Sequence, residues 1–289
     1  MRLFISILII VAALNSFAQQ PATYNHYYLN PYVYNPAYAG ASGYGQITAS
    51  NSMQWTGPDK TFSTSYLTAE LPLKKNITIA GRFYSDREGL LYSCSAALTF
   101  VYGVKLANDQ RISFGLSGGG QKRSLSKTRL NVADGDDLTI ADYNSSGADG
   151  NFGITYQVKQ LTLGFALPSL ITPAGVDGEK SNSNLSNYLL SASYRIKSDI
   201  LTVEPQLLYN SNTQFAGHFE GMLTCYYKDA FWAGGLYKTQ YGPSVYCGFR
   251  INSAFKAGYA YQTGTGKTQG AINGIHEILI SYQFGQKQQ

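Results

Sequence analysis

The feature that most constrains this chain is an alternation with a period of two. In the stretch YSCSAALTFVYGV, Tyr92, Cys94, Ala96, Leu98, Phe100, Tyr102 and Val104 share one face of an extended backbone, while Ser93, Ser95, Ala97, Thr99, Val101 and Gly103 share the other. The same pattern runs through Arg111 to Ser117, Phe152 to Val158, Tyr188 to Ile196, Glu220 to Tyr227, Val245 to Ile251 and Ile278 to Phe284. Side chains of a strand point alternately to its two faces, so each segment has one apolar and one polar side. Helical spacing appears nowhere after residue 40 with comparable persistence. The alternating runs span about 9–11 residues, the length that a tilted strand needs to cross a bilayer. Their polar face is small and neutral, rich in Ser, Thr, Gly and Gln.

Composition agrees with a wall of this kind. Only 13% of the 289 residues are charged, about half the share usual in soluble domains. Twenty-four Tyr and 30 Gly fill much of the difference. Aromatics at 14% exclude a disordered chain. The first residues, MRLFISILIIVAALNSFAQQ, carry a basic Arg2, an apolar run from Leu3 to Leu14 and a small-x-small site at Ser16-Phe17-Ala18. This reads as an export leader over residues 1–18, too short to be a membrane anchor. The net charge is +5, and loss of Arg2 with the leader lowers it by one to +4, too mild to argue for nucleic acid. No later run is long and apolar enough for a spanning helix. The exported chain is therefore soluble or enters a membrane as strands.

The connections favour the membrane. About 14 strands are expected, at 44–53, 61–71, 76–84, 89–104, 110–122, 152–158, 161–167, 188–198, 200–210, 215–227, 231–239, 244–252, 255–262 and 276–284. Every second connection is short, and the intervening ones include all the long loops: 123–151, 168–187 and 263–275. Outer-membrane barrels have this asymmetry, with short periplasmic turns and long external loops. The expected fold is thus an all-β, transmembrane antiparallel β-barrel over residues 44–285, preceded by a turn-rich segment at 19–43 and followed by a short tail at 286–289. Trp55, Tyr92 and Trp232 are expected in the aromatic girdles at the membrane surfaces.

The segment YNHYYLNPYVYNPAYAG, Tyr24 to Gly40, breaks the pattern. Its two Asn-Pro pairs, Asn30-Pro31 and Asn35-Pro36, favour turns and remove ladder donors. It is expected to sit at the periplasmic mouth or inside the lumen, where tyrosines can pack their rings and satisfy their hydroxyls.

Catalytic and metal chemistry find little support. Cys94, Cys225 and Cys247 share parity with apolar neighbours on non-adjacent strands, so they read as unpaired, lipid-facing residues. They lack metal-ligand spacing. His26, His218 and His276 have no triad partner at a recognisable spacing, although Ser211 or Ser244 could stand near His218. Asp134, Asp136, Asp137, Asp142 and Asp149 do not match a calcium loop and read as a solvated external loop. No cofactor and no enzymatic activity is expected.

On these residues the chain resembles the PorP/SprF family of type IX secretion system outer-membrane proteins. The resemblance rests on YYLNPYVYNPAYAG, with Asn35, Pro36, Ala37, Tyr38, Ala39 and Gly40; on Gln54-Trp55 at the end of the first strand; and on the closing strands with Tyr259, Tyr261, His276, Glu277, Tyr282 and Phe284. DAFWAGGLYKTQYGPSVYCGFRI is similar to the family's repeated hairpin, whereas Gln262-Thr263 departs from its usual aromatic-Asp. The resemblance implies a non-enzymatic barrel of the outer membrane that assists export or surface display of secreted proteins such as gliding proteins or adhesins. It implies secretion-machinery proteins, a secreted adhesin-type protein and outer-membrane lipid as partners. Asn35, Pro36, Tyr38, Gly40, Trp55, His276 and Glu277 are the expected partner-binding or plug residues. The barrel alone would also fit a passive porin or small-solute channel.

Overall fold

A computed structural model describes residues 25–55, 61–89, 91–125, 143–171, 184–211, 217–239, 241–263 and 274–285. The expected export leader and the aspartates from Asp134 to Asp142 lie outside the described residues.

The strands are β1 (Gly45–Trp55), β2 (Thr61–Lys74), β3 (Ile77–Glu88), β4 (Leu91–Lys105), β5 (Gln110–Leu125), β6 (Tyr143–Val158), β7 (Leu161–Ile171), β8 (Tyr188–Tyr194), β9 (Ile196–Lys197), β10 (Leu201–Ser211), β11 (His218–Tyr227), β12 (Phe231–Lys238), β13 (Gly242–Arg250), β14 (Phe255–Gln262) and β15 (Ile275–Phe284). Both β8 and β9 pair with β10 and are separated only by Arg195, so they form one stave and the wall has 14 staves. All pairings are antiparallel between chain neighbours, and β15 returns to pair with β1 from Gly45↔Phe284 to Gln54↔Ile275. The sheet is therefore closed. Among the described residues every stave is paired on both sides, which is the condition for crossing hydrocarbon with strands.

Alternation sets the two faces. Along β15, Glu277, Leu279, Ser281 and Gln283 are buried, while Ile278, Ile280 and Tyr282 are exposed. Along β4, Ala97, Thr99 and Val101 point inward, and Leu98, Phe100 and Tyr102 point outward, Leu98 with 72% of its surface exposed. The outer wall is an apolar surface that only lipid covers favourably. Cys94, Cys225 and Cys247 share parity with these outward residues and are unpaired.

Six short turns lie at one end of the barrel, 75–76, 106–109, 159–160, 198–200, 228–230 and 251–254, whereas the long connections lie at the other end together with the short ones at 89–90 and 239–241. All five non-glycine residues with positive φ among the described residues fall in the six turns, namely Asn108, Asp109, Lys159, Lys228 and Asp229. Left-handed conformations of this kind let a tight hairpin follow the strand twist. β1 begins and β15 ends on the same side, so this end is periplasmic.

Several expectations need correction. Asp149, expected in a solvated external loop, is buried on the inner face of β6 and pairs with Arg82. β6 begins at Tyr143, nine residues before the expected 152, and its whole length pairs with β5, from Gln110↔Val158 to Leu125↔Tyr143. The outward residues of this extension include Asn144, Ser146 and Ala148, so the segment has no apolar alternation to announce it. Trp232 is not in a girdle. It is buried on the inner wall, where its indole N–H donates to Tyr28 Oη at 2.9 Å.

Candidate functional site: the plugged lumen

Residues 25–44 fold into the barrel. The segment makes two short 3-10 turns, Pro31–Val33 and Pro36–Tyr38, each with proline at its start and asparagine as its N-cap residue. Proline has no N–H to lose there and its φ suits the turn. Asn35 accepts from the Ala37 N–H at 2.9 Å and closes the second turn. Such local closure satisfies backbone groups that cannot join the surrounding ladder.

The segment is anchored to the wall along its length. Glu277 of β15 accepts from the backbone N–H of Asn25 (2.8 Å) and of His26 (3.1 Å), and its Oε1 lies 2.7 Å from His26 Nδ1. The His26 and Glu277 side chains are fully buried. Tyr28 stacks on Tyr246 with ring centroids 4.2 Å apart. Asn30 donates to Thr68 Oγ1 (2.8 Å), and Tyr32 bonds Thr99 Oγ1 (2.6 Å). Asn35 Nδ2 donates to the carbonyls of Ile154 (3.3 Å) and Phe165 (3.2 Å). Tyr38 reaches Ser191 Oγ at 3.3 Å, and the Gly40 N–H donates to Glu70 Oε2 at 2.7 Å. Burial pushes the phenols of Tyr27 and Tyr34 well above their ordinary pKa, so they stay neutral and act as packing groups.

Glycines make room for this fit. A Cβ at Gly115 would collide with the backbone of Pro36 and Ala37, and one at Gly153 with the Asn35 side chain. Gly40 has φ +75°, and a Cβ there would strike Thr78.

The lumen keeps a polar recess on the external side of the plug. Toward the external end, a cavity of about 190 Å³ is lined by Val33, Tyr66, Arg82, Tyr84, Gln121, Arg123 and Asp149, among others. Arg82 pairs with Asp149 at 3.2 Å and donates to the Val33 carbonyl at 3.3 Å. Toward the periplasm, a buried row of Tyr226 and Trp232 floors the segment carrying Tyr28.

Of the residues expected at the site, Asn35, Pro36, Tyr38 and Gly40 lie in the plug, and Glu277 grips its first residues. His276 is placed elsewhere. It faces outward near the external end of β15, 2.7 Å from the Tyr259 hydroxyl, because successive strand residues point to opposite faces. The Trp55 side chain lies outside the described residues. Asn25, His26, Tyr28, Asn30, Tyr32 and Glu70 are not among the expected site residues, although most belong to the same tyrosine- and asparagine-rich stretch. Among the described residues no Ser–His pair forms. His218 Nε2 meets Glu220 at 3.0 Å, Ser211 donates to the Ser186 carbonyl, and Ser244 donates to Asn25. No group of metal-ligating side chains occurs among the described residues.

A closed, lipid-faced sheet with a polar, internally plugged lumen defines an outer-membrane β-barrel. Solved structures share this fold. The Ralstonia pickettii toluene transporter TbuX aligns with a TM-score of 0.54 at 12% identity, over 86% of this chain and 91% of its own. The Pseudomonas putida toluene transporter TodX aligns at 0.52 and 10% identity, over 91% and 94%. A Pseudomonas aeruginosa FadL homologue gives 0.52 and 10%, over 86% and 93%. No curated protein matches the sequence significantly. The sequence profile of the type IX secretion system membrane protein PorP/SprF matches residues 16–282, and the chain belongs to that family.

Proposed function

We propose that this barrel is a docking component of type IX secretion: it holds an exported protein, of the gliding or adhesin type, at the outer membrane during export or surface display. The observation that carries the reading is the filled lumen. Residues 25–44 bond to the wall from β2 round to β15, which argues against a standing pore for solutes and leaves the two mouths and the plug surface as places to receive a protein. Family membership supplies the secretion context. Among the described residues the lumen holds no nucleophile paired to a base, in keeping with a non-enzymatic reading.

The second reading, a passive channel, draws on the fold shared with barrels described as toluene transporters. At this level of identity the likeness speaks for architecture only. Liposome swelling separates the two: docking predicts slow, plug-limited solute entry, and brisk unselective flux through the intact protein favours the channel. In cells, deletion of the gene is expected to abolish surface display of one or a few large secreted proteins while general outer-membrane function persists. Normal display of all such proteins in a clean deletion would refute docking.

A further inference from the structure

One row nearer the periplasm than Tyr226 and Trp232, the inner wall becomes basic. Arg250 and Lys256 are direct cross-strand partners on β13 and β14, beside the turn at 251–254. Like charges set opposite one another on one face destabilise a strand pair. The charge of Arg195 also bears on Lys256, and Asp229 opposes it. Arg195 is itself engaged: its Nε lies 3.0 Å from Glu204 Oε2, and its guanidinium lies over the Tyr226 ring at 5.2 Å. Arg250 and Lys256 form no ion pair among the described residues, and Arg250 Nε is buried without a hydrogen-bond acceptor there. Both residues are half-buried. Partly desolvated like charges with no ion-pair partner in contact weaken a fold, so the barrel's own stability does not account for the pair.

Their place says what could complete them. Both share inward parity with Tyr246, Gly248, Gly258 and Ala260, whereas lipid headgroups ring the outside of the wall. An anion reaches them through the periplasmic mouth. The arginine fork matches a carboxylate in two hydrogen bonds, with lysine adding a point charge.

We propose that Arg250 and Lys256 form a carboxylate-binding site at the periplasmic mouth, occupied by an acidic segment of a protein entering from the periplasm. The inference rests on the docking reading and gives that reading a face and a chemistry. The test uses the full-length protein in detergent and a fluorescent hexaglutamate peptide, followed by anisotropy. Hexaglutamate binds, hexaglutamine does not, and affinity falls as salt rises. Arg250→Gln and Lys256→Gln each weaken binding about tenfold, and the double variant abolishes it. Heat-modifiable migration verifies that each variant has folded; should the double variant fail this check, Lys256→Gln and Arg250→Lys are read instead, with Arg250→Lys weakening binding through loss of the fork. Absence of hexaglutamate binding, binding untouched by these substitutions, or displacement by inorganic phosphate at equal anion concentration overturns the proposal. Cells carrying the double variant keep the two questions apart. Lost peptide binding with normal display refutes the periplasmic site as the docking face, whereas normal display in the full deletion refutes docking itself.

Discussion

The Glu277 anchor offers the sharpest perturbation of the plug. Its carboxylate receives two backbone N–H groups and the His26 ring at 2.7–3.1 Å, with both side chains fully buried. Glu277→Ala strands these donors away from water. Each unsatisfied buried donor costs about 1–3 kcal/mol. Taking about 3 kcal/mol as the loss of plug docking, the opening equilibrium rises by about two orders of magnitude. The wall loses far less, since the β15 backbone ladder with β1 and β14 does not involve the side chain. Hydrogen exchange resolves the two effects. Amides of the first plug residues, such as Leu29 and Asn30, exchange about a hundredfold faster in the variant, while those of β1 and β15 keep their protection. Loss of the Trp232–Tyr28 bond adds a change in tryptophan emission. Unchanged exchange at Leu29 and Asn30 would refute the claim that Glu277 holds the plug, and equal loss of protection across β15 would show that it holds the wall instead.

Other substitutions test separate parts of the account. Gly115→Leu pushes a side chain into the backbone of Pro36 and Ala37; the barrel stays heat-modifiable, but protease reaches the 31–40 segment, and a resistant segment would count against the fit. Asn35→Ala removes one cap and two wall contacts and costs about 1–3 kcal/mol of plug protection by hydrogen exchange. Leu98→Arg places a cation on the lipid face and destabilises the barrel by about 2–4 kcal/mol near the bilayer midplane, read from folding titrations into vesicles; a neutral result would mean that this face does not meet lipid.

The wall was legible because one physical rule, alternate exposure to lipid and lumen, writes itself into adjacent residues. Where the rule fades, so does the reading. The upper part of β6 carries Asn144, Ser146 and Ala148 outward, and no apolar period marks it. Trp232 was assigned by residue type, to a girdle. Its parity with Lys238 on the same strand already pointed inward, and the structure buries both. His276 and Glu277 stand side by side in the sequence, yet adjacency on a strand places them on opposite faces. Asn-Pro chemistry foretold a turn-rich segment that resists joining the ladder. It could not foretell the anchors, because His26 and Glu277 meet across 251 residues of sequence and nothing local records that contact.

The central claim is that this plugged barrel serves protein export by holding a protein partner. Affinity isolation of the tagged barrel from gently solubilised outer membranes, with identification of what co-purifies, tests it most directly. The account predicts secretion-machinery proteins or a large surface protein in stoichiometric amounts, retained through washes that remove other barrels. Recovery of the barrel with lipid alone, from cells actively displaying surface proteins, would contradict it.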